Sequence, residues 1–245
     1  MKITAFNGTN RSGISNTQVL IDSFLGGANE AGAEVRSFRL AEFDIRPCIA
    51  CKSCWGKSDT SCVIEDDMAQ LITAFVESDV VVFASPLYAD NVTSLLKIFI
   101  DRLIPLCDSH WELDENGECR HARKFAQPQK MMVISNCGYP EQSHFVVLRS
   151  LFRRMERNMQ MDLCGEIYRS AGALLTTPVP GFAAIVENYL DMVNQAGKEV
   201  VKLGGISPEL MSRLDQPWVP GPDFKNNFIF QVNQLAKNKR PGDKK

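Results

Sequence analysis

Val80-Val81-Val82-Phe83-Ala84 is the stretch that most constrains this chain. Five consecutive apolar residues leave no polar face to turn toward water, so the segment reads as a strand covered on both sides. Such a strand belongs in the middle of a parallel sheet flanked by helices. The rest of the chain supplies the partners. Ile3, Ala5 and Phe6 mark a first strand, and Leu20, Ile21, Phe24, Leu25 and Ala28 recur at helical spacing until Gly32 offers a stop. Val35, Phe38 and Leu40 mark a second strand, and Asp66-Asp67 opens a helix through Met68, Leu71, Ile72 and Phe75. Beyond the apolar run come a helix carrying Leu95, Leu96, Ile98, Phe99 and Leu103, a buried strand at 131–134, a long helix to about Asn158, and a last sheet strand at 161–168. Val186, Tyr189, Leu190, Val193, Gly197 and Val200 trace a further helical stripe, and 207–214 reads as one short helix. Five βα units predict an α/β fold with a doubly wound, five-stranded parallel sheet of order 2-1-3-4-5 and helices on both faces. Residues 107–129 are polar and carry Asn116-Gly117, which predicts a hairpin thrown out of the core. After a Pro-rich stretch at 217–222, Phe228, Phe230 and Val232 are apolar enough to pack on the domain or on a second subunit. The organisation expected is one domain over 1–205, with a cysteine loop at 48–62 and the hairpin as insertions, and a C-terminal extension over 206–245.

The first strand runs into Gly8-Thr9-Asn10-Arg11-Ser12-Gly13-Ile14-Ser15-Asn16-Thr17 and then into the amphipathic helix. Gly8 and Gly13 allow tight turning, and Ser15, Asn16 and Thr17 can cap a helix whose free N–H groups favour an anion. The loop lacks the Lys-Ser/Thr ending of an ATP-binding loop and the three-glycine dinucleotide fingerprint. Its hydroxyls, its amides and Arg11 suit a monophosphate such as that of FMN; a capped helix start with no ligand is the alternative. In a doubly wound sheet the loops after the first, third and fourth core strands converge at the switch point, which gathers this loop, Ser85 to Thr93, and Asn136 to Glu141 at one crevice. None of them carries a Ser-His-Asp or paired-carboxylate arrangement, and His110, His121 and His144 are scattered and read as surface or packing residues. Asp101 and Arg102 read as structural ion-pairing residues.

The net charge of −2 and the absence of a long basic face argue against nucleic acid as a partner. The basic tail at 237–245 reads as a solvated end. No apolar run approaches the roughly 20 residues that span a bilayer, and the first strand meets its polar loop too soon for a signal peptide, so no membrane association and a cytoplasmic location are expected. Eight cysteines then point to metal or redox chemistry rather than to structural disulfides.

Four of them, Cys48, Cys51, Cys54 and Cys62, have the spacing C-x2-C-x2-C-x7-C. Two overlapping C-x-x-C steps let one compact loop present three thiolates to one face while the fourth closes from a few residues away, as an iron-sulfur cluster requires. Four thiolates suit a [4Fe-4S] cluster; a zinc ion or reducible thiols without metal are the alternatives. Trp55 reads as a packing residue that could shield the site. Cys107, Cys119, Cys137 and Cys164 show no ligand spacing and read as free thiols.

Gly8-Thr9-Asn10-Arg11 with Ser15-Asn16-Thr17, Ser85-Pro86-Leu87-Tyr88 with Leu96-Lys97 and Asp101-Arg102, and Asn136-Cys137-Gly138-Tyr139-Pro140-Glu141 together resemble the flavodoxin-like NADPH-dependent FMN reductase family. The stretch from Cys48 to Cys62, followed by Asp66-Asp67-Met68, is similar to its iron-sulfur flavoprotein branch; the resemblance covers residues 1–205. It implies that the loop of Thr9, Asn10, Arg11, Ser15, Asn16 and Thr17 holds the FMN phosphate. Ser85, Pro86, Leu87, Tyr88 and Asn91 would lie along the ribityl chain and ring, and Asn136, Cys137, Gly138 and Tyr139 would touch the ring's other edge. The expected function is an FMN-dependent oxidoreductase with NAD(P)H as donor, its [4Fe-4S] cluster relaying electrons to a small-molecule or protein acceptor. The alternatives are an NAD(P)H-dependent quinone, nitroaromatic or flavin reductase without a cluster, and a non-catalytic FMN-binding electron carrier or redox sensor. Spare apolar surface beside an exposed flavin edge leads us to expect a homodimer or homotetramer.

Overall fold

The computed structural model describes residues 1–125, 129–177, 179, 181–218 and 222–238. Its centre is a parallel sheet of β1 (Lys2–Asn7), β2 (Glu34–Arg39), β3 (Val80–Pro86), β6 (Lys130–Asn136) and β7 (Asp162–Arg169), ordered β2-β1-β3-β6-β7. This is the expected 2-1-3-4-5 order; the labels differ because the hairpin β4 (Cys107–Leu113) and β5 (Cys119–Arg123) intervenes as a separate antiparallel ladder. The strand at the middle is the apolar run. Val80, Val82 and Ala84 face one core, and Val81 and Phe83 face the other. Helices α1 (Asn16–Glu30), α5 (Ala183–Leu203) and α6 (Pro208–Leu214) cover the first face, and α2 (Met68–Val76), α3 (Ser94–Asp101) and α4 (Val146–Met159) cover the second.

Local chemistry starts the helices where the loops need them to start. The Ser15 hydroxyl accepts from the Gln18 N–H at 3.1 Å and caps α1, and the Thr93 hydroxyl accepts from the Leu96 N–H at 3.3 Å and caps α3. Helices α1 and α5 cross at glycines. A Cβ on Gly27 would lie 1.8 Å from the Asn194 carbonyl oxygen, so no other residue allows this approach.

The C-terminal segment is pinned to the end of β7. The buried Arg169 guanidinium lies 4.7 Å from the Tyr189 ring and 4.5 Å from the Trp218 ring, and it donates to the Gln216 carbonyl at 3.0 Å. Beyond it, α7 (Pro222–Asn238) is a helix the sequence pattern did not assign. Phe224 and Phe228 pack toward the first core, whereas Phe230 and Val232 stay exposed. Residues 219–221 and 239–245, which hold part of the Pro-rich stretch and most of the basic tail, lie outside the described residues. Among the described residues no helix is long and apolar enough to cross a membrane.

Candidate functional site

The carboxyl ends of β1, β3 and β6 meet at one rim, and hydrogen bonds tie the following loops to one another. The Gly8 N–H donates to the Ala84 carbonyl at 2.8 Å, and the Thr93 hydroxyl donates to the Gly8 carbonyl at 2.6 Å. Across the next gap the Leu87 N–H donates to the Asn136 carbonyl, and Asn136 Nδ2 donates to the Thr17 hydroxyl, both at 2.8 Å. The three predicted loops are therefore in contact through named atoms. Gly8 is required by this closeness: a Cβ there would sit 2.7 Å from Leu96 Cβ and 2.8 Å from the Thr93 hydroxyl oxygen.

Several predicted residues use their side chains to hold the rim. Ser15 caps α1, Thr17 accepts from Asn136, and Asn16 Oδ1 accepts from the Thr176 hydroxyl at 2.6 Å. The Ser85 hydroxyl accepts from the Thr93 N–H at 3.0 Å and donates to the Pro86 carbonyl at 2.8 Å. The Asn91 side chain accepts from the Val92 N–H. Thr9 is buried, its N–H bonded to Asn7 Oδ1. What remains open to a ligand is the exposed run from Asn10 to Ile14 and the amides of Asn16 and Thr17, which have no acceptor within the helix. Arg39, at the end of β2, steadies that run by donating to the Gly13 carbonyl at 2.8 Å; its distance along the chain hid it from sequence reasoning.

The other two loops present rings. Tyr88 and Asn91 close a tight turn through reciprocal backbone bonds of 2.9 and 3.0 Å, with Ala89 and Asp90 at φ of 48° and 56°. Such φ values are uncommon outside glycine and hold the turn in one shape. Pro86 and Leu87 are half-buried beside it, and Tyr88 is 53% exposed. Tyr139 is 58% exposed and stacks on His144 at 4.2 Å, next to the exposed Gly138. Cys137 is turned inward instead. Its thiol donates to the Tyr139 carbonyl at 3.4 Å, and burial pushes it up to about 11, so it is a packed thiol rather than a reactive one.

A second site lies where α3 ends. Cys48, Cys51, Cys54 and Cys62 line one cavity of about 300 Å³ together with Trp55 and Arg102. Cys48 and Cys51 are exposed, Cys62 is half-buried and Cys54 is buried. Burial pushes the Cys54 thiol up, reinforced by the nearby Cys62 and Cys51, while hydrogen bonds within the loop hold the Cys51 thiol down. Among the described residues no group of three or more His, Cys, Asp and Glu side chains is drawn together as metal ligands, so the loop shares one cavity without the convergence its spacing predicted. Ala50 and Lys52, between these cysteines, both take positive φ, at 53° and 57°.

Two distant side chains fix this loop, and sequence reasoning missed how. Lys124 donates to the carbonyls of Cys54 at 2.6 Å, Lys57 at 2.9 Å and Asp59 at 3.4 Å. Trp55 packs 5.0 Å from the His121 ring, so the hairpin braces the cysteine loop. The hairpin is anchored in turn to α4 by Arg157 to Asp114 at 2.5 Å and Arg154 to Glu118 at 3.0 Å. From the other side, Arg102 holds Asp66 with a two-pronged ion pair of 2.6 and 2.9 Å and donates to the Arg46 carbonyl at 2.6 Å. Burial raises the Asp66 carboxyl, but Arg102 and the N–H groups of Arg46 and Met68 outweigh it and leave the carboxyl below its ordinary range. Asp101, by contrast, pairs with Lys97 on the surface. The sequence marked Arg102 as a structural ion-pairing residue, and Asp66 is its partner.

A doubly wound parallel sheet with three polar loops tied at its switch point defines a flavodoxin-like α/β protein. The profile of the NADPH-dependent FMN reductase family matches residues 1–127, and the chain belongs to that family. An iron-sulfur flavoprotein of Archaeoglobus fulgidus is 36% identical over 105 residues, which cover 43% of this chain and 46% of that one. An iron-sulfur flavoprotein of Methanocaldococcus jannaschii is 33% identical over 106 residues, covering 43% and 53%. The chain thus spans about half the length of the curated relatives it matches. In fold it is similar to an FMN-dependent NADH-azoreductase of Bacillus anthracis solved with FMN, with a TM-score of 0.60, 16% identity and coverage of 82% of this chain and 99% of the other. An NAD(P)H:quinone oxidoreductase of Methanothermobacter marburgensis gives 0.58, 15%, 82% and 96%.

Proposed function

We infer that this protein is an FMN-dependent NAD(P)H oxidoreductase in which a [4Fe-4S] cluster connects the flavin to an electron acceptor. The observation that carries the reading is the joining of two sites by one short helix. Thr93 at the start of α3 ties the three-loop rim together, and Arg102, directly after its end, lines the four-cysteine cavity. The eight residues of α3 lie between them, a rise of roughly 14 Å from Thr93 to Arg102 at about 1.5 Å per residue. Similarity to the iron-sulfur flavoproteins supports the cluster, as does the donor set: four thiols with a buried guanidinium beside them suit an anionic sulfur-ligated group.

Bound FMN would supply hydride and electron chemistry at its ring, and the cluster one-electron transfer. The protein's own share is placement. The exposed run from Asn10 to Ile14, with Arg11 and the amides of Asn16 and Thr17, would take the phosphate. Ser85, Pro86, Leu87, Tyr88 and Asn91 would line the ribityl chain and one side of the ring, and Gly138 and Tyr139 the other side. Thr9, Ser15 and Asn136 act on this reading by holding the loops rather than by touching the flavin, and Cys137 packs beneath. Cys48, Cys51, Cys54 and Cys62 would ligate the cluster. Residues 1–205 would form the flavin domain and 206–245 its extension, and among the described residues there is no second nucleotide-binding fold for NAD(P)H. NAD(P)H would then stack on the flavin and leave before the acceptor arrives, giving ping-pong kinetics.

Anaerobic purification followed by flavin, iron and sulfide analysis tests this. One FMN and four irons per chain are expected, and colourless protein without either would refute it. The exposure of Cys48 and Cys51 favours a second reading, a reductase of quinones, nitroaromatics or flavin without a cluster; steady NAD(P)H turnover surviving in Cys51→Ser would select it. The exposed Trp111, Leu113, Phe230 and Val232 support a homodimer or homotetramer, and a monomer on gel filtration would remove that part.

A further inference from the structure

Two residues lining the cysteine cavity, Arg102 and Trp55, each carry a buried N–H with no hydrogen-bond acceptor assigned among the described residues. Both Nη groups of Arg102 are engaged, Nη1 by Asp66 Oδ2 and the Arg46 carbonyl and Nη2 by Asp66 Oδ1. Its Nε is buried with no hydrogen-bond partner among the described residues, although the side chain is only 1% exposed. Trp55 Nε1 is likewise buried without a partner. Both residues line the cavity that Cys48, Cys51, Cys54 and Cys62 share. Buried donors are seldom left unsatisfied, and two on one cavity call for an occupant that accepts hydrogen bonds.

The orientation of the guanidinium is enforced. Asp66 is held by the backbone N–H groups of Arg46 at 2.9 Å and Met68 at 3.1 Å, so its carboxylate cannot swing away. It grips the Nη edge of Arg102, and the guanidinium also lies against Cys62. Asp66 is thus a positioning residue for Arg102. Trp55 is fixed separately, by its packing on His121 and by Lys124 bonded to the carbonyl of the preceding Cys54.

We propose that Arg102 Nε–H and Trp55 Nε1–H donate hydrogen bonds to the sulfur-ligated anion held in the four-cysteine cavity, and that they raise its reduction potential. This rests on the cluster reading above. One-electron reduction adds one negative charge inside the cavity, and hydrogen bonds to sulfur, with a fixed cation beside it, stabilise the more negative form.

Potentiometric titration of the anaerobic holoprotein with dithionite, followed by absorbance and EPR, reads this directly. Arg102→Lys keeps the cation and a partner for Asp66 but lacks the Nε–H, and Trp55→Phe keeps a ring but lacks the N–H. Arg102→Lys is expected to shift the one-electron equilibrium tenfold toward the oxidised form, a fall of about 59 mV. Trp55→Phe is expected to shift it about threefold in the same direction, with FMN, iron and sulfide contents unchanged in both. Potentials equal to wild type in loaded variants would overturn the inference while leaving the cluster reading intact. Wild-type protein free of iron would instead overturn the cluster reading itself. Should Arg102→Lys not accumulate as folded protein, Trp55→Phe, which leaves the ion pair alone, decides on the same terms.

Discussion

The three-loop rim and the cysteine cavity are assembled by different means. At the rim the bonds that matter join residues already neighbours by sheet order: Gly8 to Ala84, Leu87 to Asn136, Thr93 to Gly8. Once β1, β3 and β6 lie side by side, these contacts follow. The cavity has no such frame. Its loop is held by long charged side chains from far along the chain, with Lys124 lying 70 positions from Cys54 and Arg102 lying 36 from Asp66. Topology thus builds one site and side-chain electrostatics the other, which gives them different weaknesses.

The largest effect should fall on the cavity. Arg102→Met leaves the Asp66 carboxylate buried without its partner, which costs about 3–5 kcal/mol of stability. Urea unfolding would measure it as a lowered midpoint, with FMN retained in the fraction that stays folded. Acid should narrow the gap between variant and wild type. The Asp66 carboxyl in the folded protein lies below its ordinary value, so the pair stabilises wild type above roughly pH 4 and that contribution fades as pH falls through the folded value. A gap that stayed constant from pH 7 to pH 3 would show that the pair is not the source.

A smaller effect is expected at the rim. Gly8→Ala must displace either Leu96 or Thr93, because its methyl would lie under 3.0 Å from both. Overpacking of this kind costs about 1–3 kcal/mol. Displacing Thr93 loosens both the cap of α3 and the bond to the Gly8 carbonyl, so FMN affinity should fall roughly tenfold, equivalent to about 1.4 kcal/mol. Fluorescence titration of the flavin-free protein would detect it. Unchanged affinity with lowered stability would mean that the rim can deform without disturbing the flavin loops, and the contrast with the cavity would then lose half its force.

The same contrast explains which parts could be read in advance. Periodicity gave Val80 to Ala84 a central, doubly covered place, and the strand order and convergence of three loops followed from it. Asn116-Gly117 announced its hairpin because a tight turn is a local property, and Gly117 does take a positive φ, 77°. The cysteine spacing, equally local, marked four residues that line one cavity. What one dimension could not carry was the division of labour. Ser15, Thr17, Ser85 and Asn136 read as ligands in polar loops, and their side chains also bond within and between those loops, which only folded coordinates show. Lys124 and Arg39 carry no motif at all; a lysine at the end of a hairpin strand is indistinguishable in sequence from any solvated one. Helix α7 went unassigned because the proline-rich lead-in and its mixed surface obscured the period.

Lys124→Met sharpens the comparison at its small end. Three carbonyls lose one partly buried ammonium, but each lies in a loop that water can reach, so water replaces much of the bonding. Global stability should therefore change by less than about 1 kcal/mol. The loop's own opening is a different quantity, since local unfolding proceeds at free energies well below the global value. Without Lys124, what the hairpin keeps on the turn at Ser53–Gly56 is packing, such as that of Trp55 on His121. The buried Cys54 thiol should then react with a maleimide about fivefold faster in protein prepared without metal, which corresponds to about 1 kcal/mol of local opening. Cys137, buried at the rim beneath backbone bonds that Lys124 does not touch, should react no faster than in wild type. Equal acceleration at both thiols would mean that the sites open together, and the separation between a rim built by topology and a cavity built by side chains would fail.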